Sequence, residues 1–298
     1  MYERVLAPMD SSKVAEAVLP YVEELAGHVK SEVTLLHVCS STEEAHRAVH
    51  ESYLGIICEG VKRDIKERYP LKKGESIKIK PKTLVGKPAD EIINFARENE
   101  FSLIVMATHP RSGIMHRTVG QVADSVLQKV NVPALLVTTA NPHLEPGPRQ
   151  LLDKIVVPLD GTKRGEAVLP YITELARKTW TQITLLRVID PSQQVHTVGG
   201  LDHVRFTNQQ IVSMETRAQE YLKEISRTLD DTKAFIKHEV RVGNNAKEIL
   251  NLARETDARL IAISAHHYPR FKFLVSSSTT QQIMQTTDIP LFLVSAPG

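Results

Sequence analysis

Two stretches of the chain repeat at the spacing of a whole domain. Val5-Leu6-Ala7-Pro8-Met9-Asp10 and the following Glu16-Ala17-Val18-Leu19-Pro20-Tyr21 return 150 positions later as Ile155-Val156-Val157-Pro158-Leu159-Asp160 and Glu166-Ala167-Val168-Leu169-Pro170-Tyr171. Val85-Gly86 and Glu91-Ile92 through Ala96-Arg97-Glu98 return 157 positions later as Val242-Gly243 and Glu248-Ile249 through Ala253-Arg254-Glu255. A period this long exceeds any solenoid repeat and matches one compact domain. The 298 residues therefore read as two copies of one small fold, each long enough to bury its own core. The copies are expected at 1–140 and 153–298. The connector 141–152, with Asn141-Pro142 and Glu145-Pro146-Gly147-Pro148, reads as stiff and solvated.

Within each copy, short β-rich runs alternate with helical patterns. Val5 to Met9 is a continuous apolar run, as in a strand covered on both faces. Val14, Ala17, Val18, Tyr21 and Leu25 then recur at helical spacing, with Pro20 expected to kink that helix because it cannot donate to the Glu16 carbonyl. Further strands are expected at Val33–Val38, Ile77–Val85 (polar enough for a sheet edge), Leu103–Ala107 and Pro133–Thr138. Helices are expected at Thr42–Arg68, from Pro88 onward, and at Gln121–Val130. The second copy repeats the strands at Ile155–Leu159, Ile183–Val188, Phe235–Val242, Leu260–Ser264 and Pro290–Val294. This alternation predicts an α/β fold, two tandem open parallel sheets with helices on both faces.

Composition removes several function classes. Apolar content of 42% and charged content of 24% are ordinary for a globular protein, and a net charge of +2 offers no general attraction for nucleic acid or an anionic membrane. Lys62 through Lys82 is locally basic, but Asp64, Glu67 and Glu75 interleave and stacking aromatics are scarce, so no nucleic-acid partner is expected. Cys39 and Cys58 stand at no metal-knuckle or disulfide spacing, and Cys39 reads as core. No apolar run approaches the roughly 20 residues of a membrane span. With a core strand starting at Val5 there is no room for a signal peptide, so the expected location is the cytoplasm.

In an open parallel sheet, ligands bind beyond the carboxyl ends of the strands where the strand order reverses. The segments there are Asp10-Ser11-Ser12, after the first strand, and Thr108-His109-Pro110-Arg111-Ser112-Gly113, leading to Gly120-Gln121 at a helix start. A glycine before a helix lets backbone approach a phosphate at the positive helix end, although Gly120 can equally be a packing residue. Asp10 is either an acceptor for a ribose or base group or a helix cap. Arg111 can pair with a terminal phosphate.

These residues resemble the universal stress protein family. The resemblance rests on Leu6-x-Pro8-x-Asp10 and Val156-x-Pro158-x-Asp160 at the two starts, Thr-Leu-Leu-x-Val in the second strand, Val-Gly-x-x-Ala-x-x-Ile, and Ala107-Thr108-His109-x-Arg111-Ser112-Gly113 followed by Gly120-x-Val122-Ala123. It covers both copies and implies an adenine nucleotide alpha hydrolase-like fold with five strands ordered 3-2-1-4-5 in each. It also implies ATP or another adenine nucleotide, with Mg²⁺ accompanying ATP. One branch of the family binds ATP through Gly-x-x-Gly, nine residues, then Gly-Ser/Thr. The first copy reads Ala107-Thr108-His109-Pro110, nine residues, Gly120-Gln121; the second reads Ser264-Ala265-His266-His267, nine residues, Ser277-Ser278. Pro110 lacks an N–H, and each donor lost to a phosphate weakens it by roughly 1.5–3 kcal/mol. The first copy is therefore expected to bind better. Its implied contacts are Pro8, Asp10, Ser11, Val38, Ala107, His109, Arg111, Gly113, Gly120, Gln121 and Val122, with adenine between Pro8–Asp10 and the Val38 backbone. The weaker set is Pro158, Asp160, Gly161, Val188, Ser264, His266, His267, Ser277 and Ser278.

His46 and His50 stand four apart on a predicted helix but show no third ligand, so they read as a solvated face. His109, His266 and His267 have no paired nucleophile and read as loop or ligand contacts. The expectation is a nucleotide-responsive binding or signalling module rather than an enzyme. The alternatives are a weak ATPase and an interaction scaffold with decayed pockets. Ser-Gly-Gly-x-Asp-Ser and His-x-Gly-His loops, needed for α-phosphate chemistry, do not occur. The two final strands are exposed edges in the implied order, so the copies are expected to dock on each other as an intramolecular dimer. Unidentified protein partners and a homodimer of whole chains remain open.

Overall fold

The computed structural model describes residues 1–39, 44–69, 76–108, 120–138, 152–197, 200–265 and 279–295, without the side chains of 44–46, 192–197 and 200–205. The first half contains β1 (Arg4–Met9), α1 (Lys13–Glu16), α2 (Leu19–Glu24), β2 (Glu32–Cys39), α3 (Glu44–Arg68), β3 (Ile79–Val85), α4 (Pro88–Glu98), β4 (Leu103–Thr108), α5 (Gln121–Lys129) and β5 (Ala134–Thr138). The second half contains β6 (Lys154–Pro158), α6 (Leu169–Lys178), β7 (Gln182–Ile189), β8 (Ser192–Thr197), β9 (Gly200–Arg205), α7 (Asn208–Arg227), β10 (Phe235–Val242), α8 (Asn245–Glu255), β11 (Leu260–Ala265), α9 (Thr279–Thr286) and β12 (Leu291–Ser295).

Ten of these strands form one sheet, ordered β10-β7-β6-β11-β12-β5-β4-β1-β2-β3. Counted within its own half, each set of five is parallel and ordered 3-2-1-4-5. The halves meet where β5 and β12 pair antiparallel, with Leu135 opposite Phe292. Those two residues are equivalents in the repeat, so a local twofold axis passes between them. This pairing removes both free edges, and the remaining edges are the polar strands β3 and β10. Phe292 also packs near Tyr2 and Tyr171, and the Tyr2 hydroxyl donates to the Tyr171 carbonyl at 3.0 Å, tying the halves together.

Alternation along each strand feeds two apolar layers. Val5, Ala7 and Met9 point into the layer covered by α2, α3, α6 and α7, while Leu6 points into the layer covered by α4, α5, α8 and α9. Each layer runs through both halves. On α3 the buried stripe is Leu54, Cys58, Val61 and Ile65.

Two local outcomes differ from the sequence reading. Instead of one kinked helix around Pro20, the chain ends α1 at Glu16 and restarts at Leu19, with Pro20 in the first turn of α2. The missing proline N–H is harmless there because first-turn donors have no intrahelical partner. Pro170 does the same after the 3₁₀ turn Gly165–Val168. The β8–β9 hairpin has no counterpart in the described part of the first half and was not anticipated. Gly199-Gly200 between two short runs was its available signal. The Val-Gly repeat has a backbone cause: Gly86 and Gly243 take φ of 152° and 157°, and a Cβ at Gly86 would collide with Glu91.

Candidate functional site

The strand order reverses between β1 and β4. These neighbours share a ladder of just two rungs, Val5–Leu103 and Leu6–Ile104, whereas β1 and β2 pair along all six residues of β1. Beyond Leu6 the strands part toward their carboxyl ends, and Pro8, which has no N–H to give, lies on the parted stretch. β6 and β11 show the same two-rung ladder, Ile155–Leu260 and Val156–Ile261. Each half therefore parts its strands at the switch point, the place where the ligand cleft of an open α/β sheet lies.

In the first cleft the chain turns sharply after Met9. Ser11 adopts φ 62°, and Asp10 Oδ1 accepts from the Ser12 backbone N–H at 3.0 Å and from the Ser12 hydroxyl. Ser12, not Asp10, caps α1, by accepting from the Ala15 N–H at 3.1 Å. Asp10 thus braces the turn through one oxygen. Opposite, Ala107 is half-buried on β4. Gly120 sits at the start of α5 with extended backbone and offers no side-chain acceptor, so the first N–H groups of α5 are not capped by it. Gln121 is exposed, and Val122 turns its side chain into the core, leaving only its backbone for a ligand. Asp124 lies in the same first turn, held by Gln128 at 2.8 Å. It favours the helix dipole and opposes an incoming anion. Val38 packs its side chain toward the α4 layer. His109, Arg111 and Gly113 lie outside the described residues.

The second cleft is built on the same frame with different side chains. Pro158 lies at the end of β6 and Val188 is buried near the end of β7. Asp160 Oδ1 accepts from the Thr162 N–H at 2.9 Å and its hydroxyl at 2.7 Å, and Gly161 (φ 79°) takes the left-handed position that Ser11 fills in the first half. Ser264, equivalent to Ala107, is committed to the scaffold: its hydroxyl donates to the Gly165 carbonyl at 2.9 Å and accepts from the Val168 N–H at 3.0 Å. His266, His267, Ser277 and Ser278 lie outside the described residues.

The sequence reading missed a cluster beside the first cleft. His37 and Cys39, both buried on β2, face α3, and His50 lies over them with its imidazole stacked on that of His37 at 3.9 Å and 18°. His37 Nδ1 stands 2.9 Å from the Met9 carbonyl, so Nδ1 carries the proton and donates it. Burial, then the neighbouring His50, holds the His37 pKa below the usual imidazole value; burial pushes the Cys39 thiol up. His50 Nδ1 lies 3.4 Å from Ser11 Oγ. His50 is therefore not on a solvated face, and the side chain of its suggested partner His46 lies outside the described residues. In the second half the residue aligned with His37 is Arg187, whose Nη1 donates to the Leu159 carbonyl at 3.3 Å. The alternation of His37 with Cys39, together with the spacing of His50 from Leu54 and Cys58, was the signal available.

A doubly wound α/β sheet whose strands part at each switch point is the frame of the open α/β proteins, in which the strand ends are the place for a ligand. The family model for the universal stress proteins matches residues 1–138 and again 152–295. The chain belongs to the universal stress protein family. Universal stress protein MJ0577 of Methanocaldococcus jannaschii is 28% identical over 158 residues, 47% of this chain and 98% of that one. Universal stress protein YxiE of Bacillus subtilis is 29% identical over 148 residues, 46% of this chain and 99% of that one. A universal stress protein from Archaeoglobus fulgidus has a similar whole-chain fold, with a TM-score of 0.64 at 18% identity and 99% of each chain covered.

Proposed function

We propose that the protein is a tandem stress-response module that binds ATP or another adenine nucleotide, better in its first half, and acts by binding rather than by chemistry. The observation that carries this reading is the parting of β1 from β4 after two rungs at the switch point, with the Asp10 turn following β1 and the uncapped α5 start at Gly120 following β4 in the chain. The residues fit a nucleotide in kind. Asp10 has its second carboxylate oxygen for a hydroxyl or amino donor, Val38 supplies backbone one residue past the Met9–His37 rung, and the α5 N-terminus suits a phosphate, with Mg²⁺ offsetting charge on ATP. The second copy fits less well, because the Ser264 hydroxyl is spent on the scaffold and Ser277 stands where the first copy has Gly120.

Ligand linkage gives the test. A nucleotide at about one hundred times its dissociation constant stabilises the folded state by about 2.7 kcal/mol. ATP, ADP or AMP at sub-millimolar concentration is expected to raise the melting temperature, and Gly120→Trp is expected to abolish the shift while Ser277→Trp leaves most of it. Equal loss in both variants would overturn the asymmetry. No shift with any of the three nucleotides would overturn nucleotide binding and leave an interaction scaffold.

A further inference from the structure

The cluster at the end of β2 takes no part in the nucleotide reading and has a chemistry of its own. His37 and Cys39 are two apart on one strand, so both leave the sheet on the face that α3 covers. His50 stands four residues before Leu54 on the buried α3 stripe and is carried to the same place. One ligand atom from each of the three residues lies within 4.8 Å of those of the other two. Zinc held by two imidazole nitrogens and a thiolate in tetrahedral geometry needs donor separations of about 3.3–3.6 Å. The cluster is thus within small side-chain adjustments of a coordination site.

We propose that His37, Cys39 and His50 bind a divalent transition metal of the Zn²⁺ or Co²⁺ type. The Met9 carbonyl accepts the Nδ1 proton of His37, which fixes the tautomer and leaves the Nε2 lone pair for a metal. The stacked rings confine their lone pairs to near-parallel planes, so closure turns the His50 ring out of the stack. Its hydrogen-bond contact, Ser11 Oγ at 3.4 Å, is weak enough to yield, and His50 is only half-buried. The Cys39 thiol gives its proton to water as the sulfur–metal bond forms. Two imidazoles and a thiolate select such metals over Mg²⁺ or Ca²⁺. Three protein ligands leave the fourth position to water. The second half is a built-in negative: Arg187, Ile189 and Ala218 occupy the corresponding positions and offer no lone pair.

The experiment titrates the metal-free full chain, without nucleotide, with Co²⁺ and then Zn²⁺. One Co²⁺ per chain is expected, with a thiolate-to-cobalt charge-transfer band that Zn²⁺ displaces. Zn²⁺ but not Mg²⁺ is expected to raise the melting temperature. Cys39→Ile, the residue that the second half carries, removes the band, and Cys39→Ser repeats the result at nearly constant size. His50→Ala weakens binding by about tenfold or more, and Cys58→Ser leaves band and affinity intact. Absence of the band, its survival in Cys39→Ile and Cys39→Ser, its loss in Cys58→Ser, or unchanged affinity in His50→Ala would each overturn the site. Because no nucleotide is present, none of these outcomes bears on the cleft.

Discussion

The ends of β2 and β7 are the same backbone carrying different chemistry. In both halves the side chain opposite the last residue of the first strand run donates to that residue's carbonyl, His37 to Met9 and Arg187 to Leu159. In both, a tyrosine on the long helix donates to the equivalent glutamate, Tyr53 to Glu16 at 2.7 Å and Tyr221 to Glu166 at 3.2 Å. In both, a left-handed residue follows the aspartate, Ser11 or Gly161. Around this constant frame the first half places an imidazole pair and a thiol, and the second a guanidinium, an isoleucine and an alanine. The scaffold therefore tolerates exchange of the side chains over the cleft because it fixes the turn through backbone carbonyls and the Asp10 and Asp160 carboxylates. The duplication conserves the support and varies the contents.

If the frames are equivalent, their supports carry equal weight. Leu54 and Leu222 are both fully buried at matching places on α3 and α7. Leu54→Ala and Leu222→Ala are each expected to lower stability by about 2–5 kcal/mol, the range for a buried leucine truncated to alanine. Denaturant unfolding reads both; a loss confined to one variant breaks the equivalence. A smaller effect separates the tyrosines. Tyr53→Phe and Tyr221→Phe each remove a hydrogen bond to a carboxylate, worth about 1.5–3 kcal/mol at most and less for a partly exposed pair. Tyr53 makes the shorter bond, so Tyr53→Phe is expected to cost more. The reverse order would mean that packing, not the bond, dominates.

The architecture was legible because a covered parallel strand must be apolar on both faces, and Val5 to Met9 and Ile155 to Leu159 are matching short apolar runs, each followed by a helical stripe. The repeat then showed the five strands of each sheet half twice, while the β8–β9 hairpin of the second half lay outside it. The Pro20 region was less legible, since a helical stripe persists through Val14, Val18 and Tyr21 whether or not the helix restarts. The roles of Asp10 and Ser264 were open in sequence because a short polar side chain at a strand end serves a turn or a ligand equally well; the hydrogen bonds decide for the turn in one oxygen of Asp10 and for the scaffold in Ser264. The His37–Cys39–His50 cluster was hidden because its members come from separate elements, and only the packing of α3 on β2 unites them.

The smallest predicted effect tests whether the halves also share their electrostatics. Glu23 on α2 is nearly covered, and its carboxylate meets Arg68 at 2.8 Å, whereas the equivalent position of the second half is Thr173. Burial pushes the Glu23 pKa from 4.5 up to about 7; Arg68 pulls it down only in part, and Asp64 adds to the rise. A carboxyl group with a raised folded-state pKa binds more protons folded than unfolded between the two values, so stability falls as pH rises through that window. The contribution is fully present below pH 4.5 and lost as pH climbs through about 7. Glu23→Gln keeps the shape and removes the titration. Its melting temperature minus that of the parent is expected to rise between pH 4.5 and pH 7 and then level off, by a few degrees in all because Arg68 is partly solvated. A difference that stays flat across the window would mean that the Arg68 pair keeps Glu23 ionised throughout, and that the first half tolerates the buried charge as readily as the second tolerates its threonine.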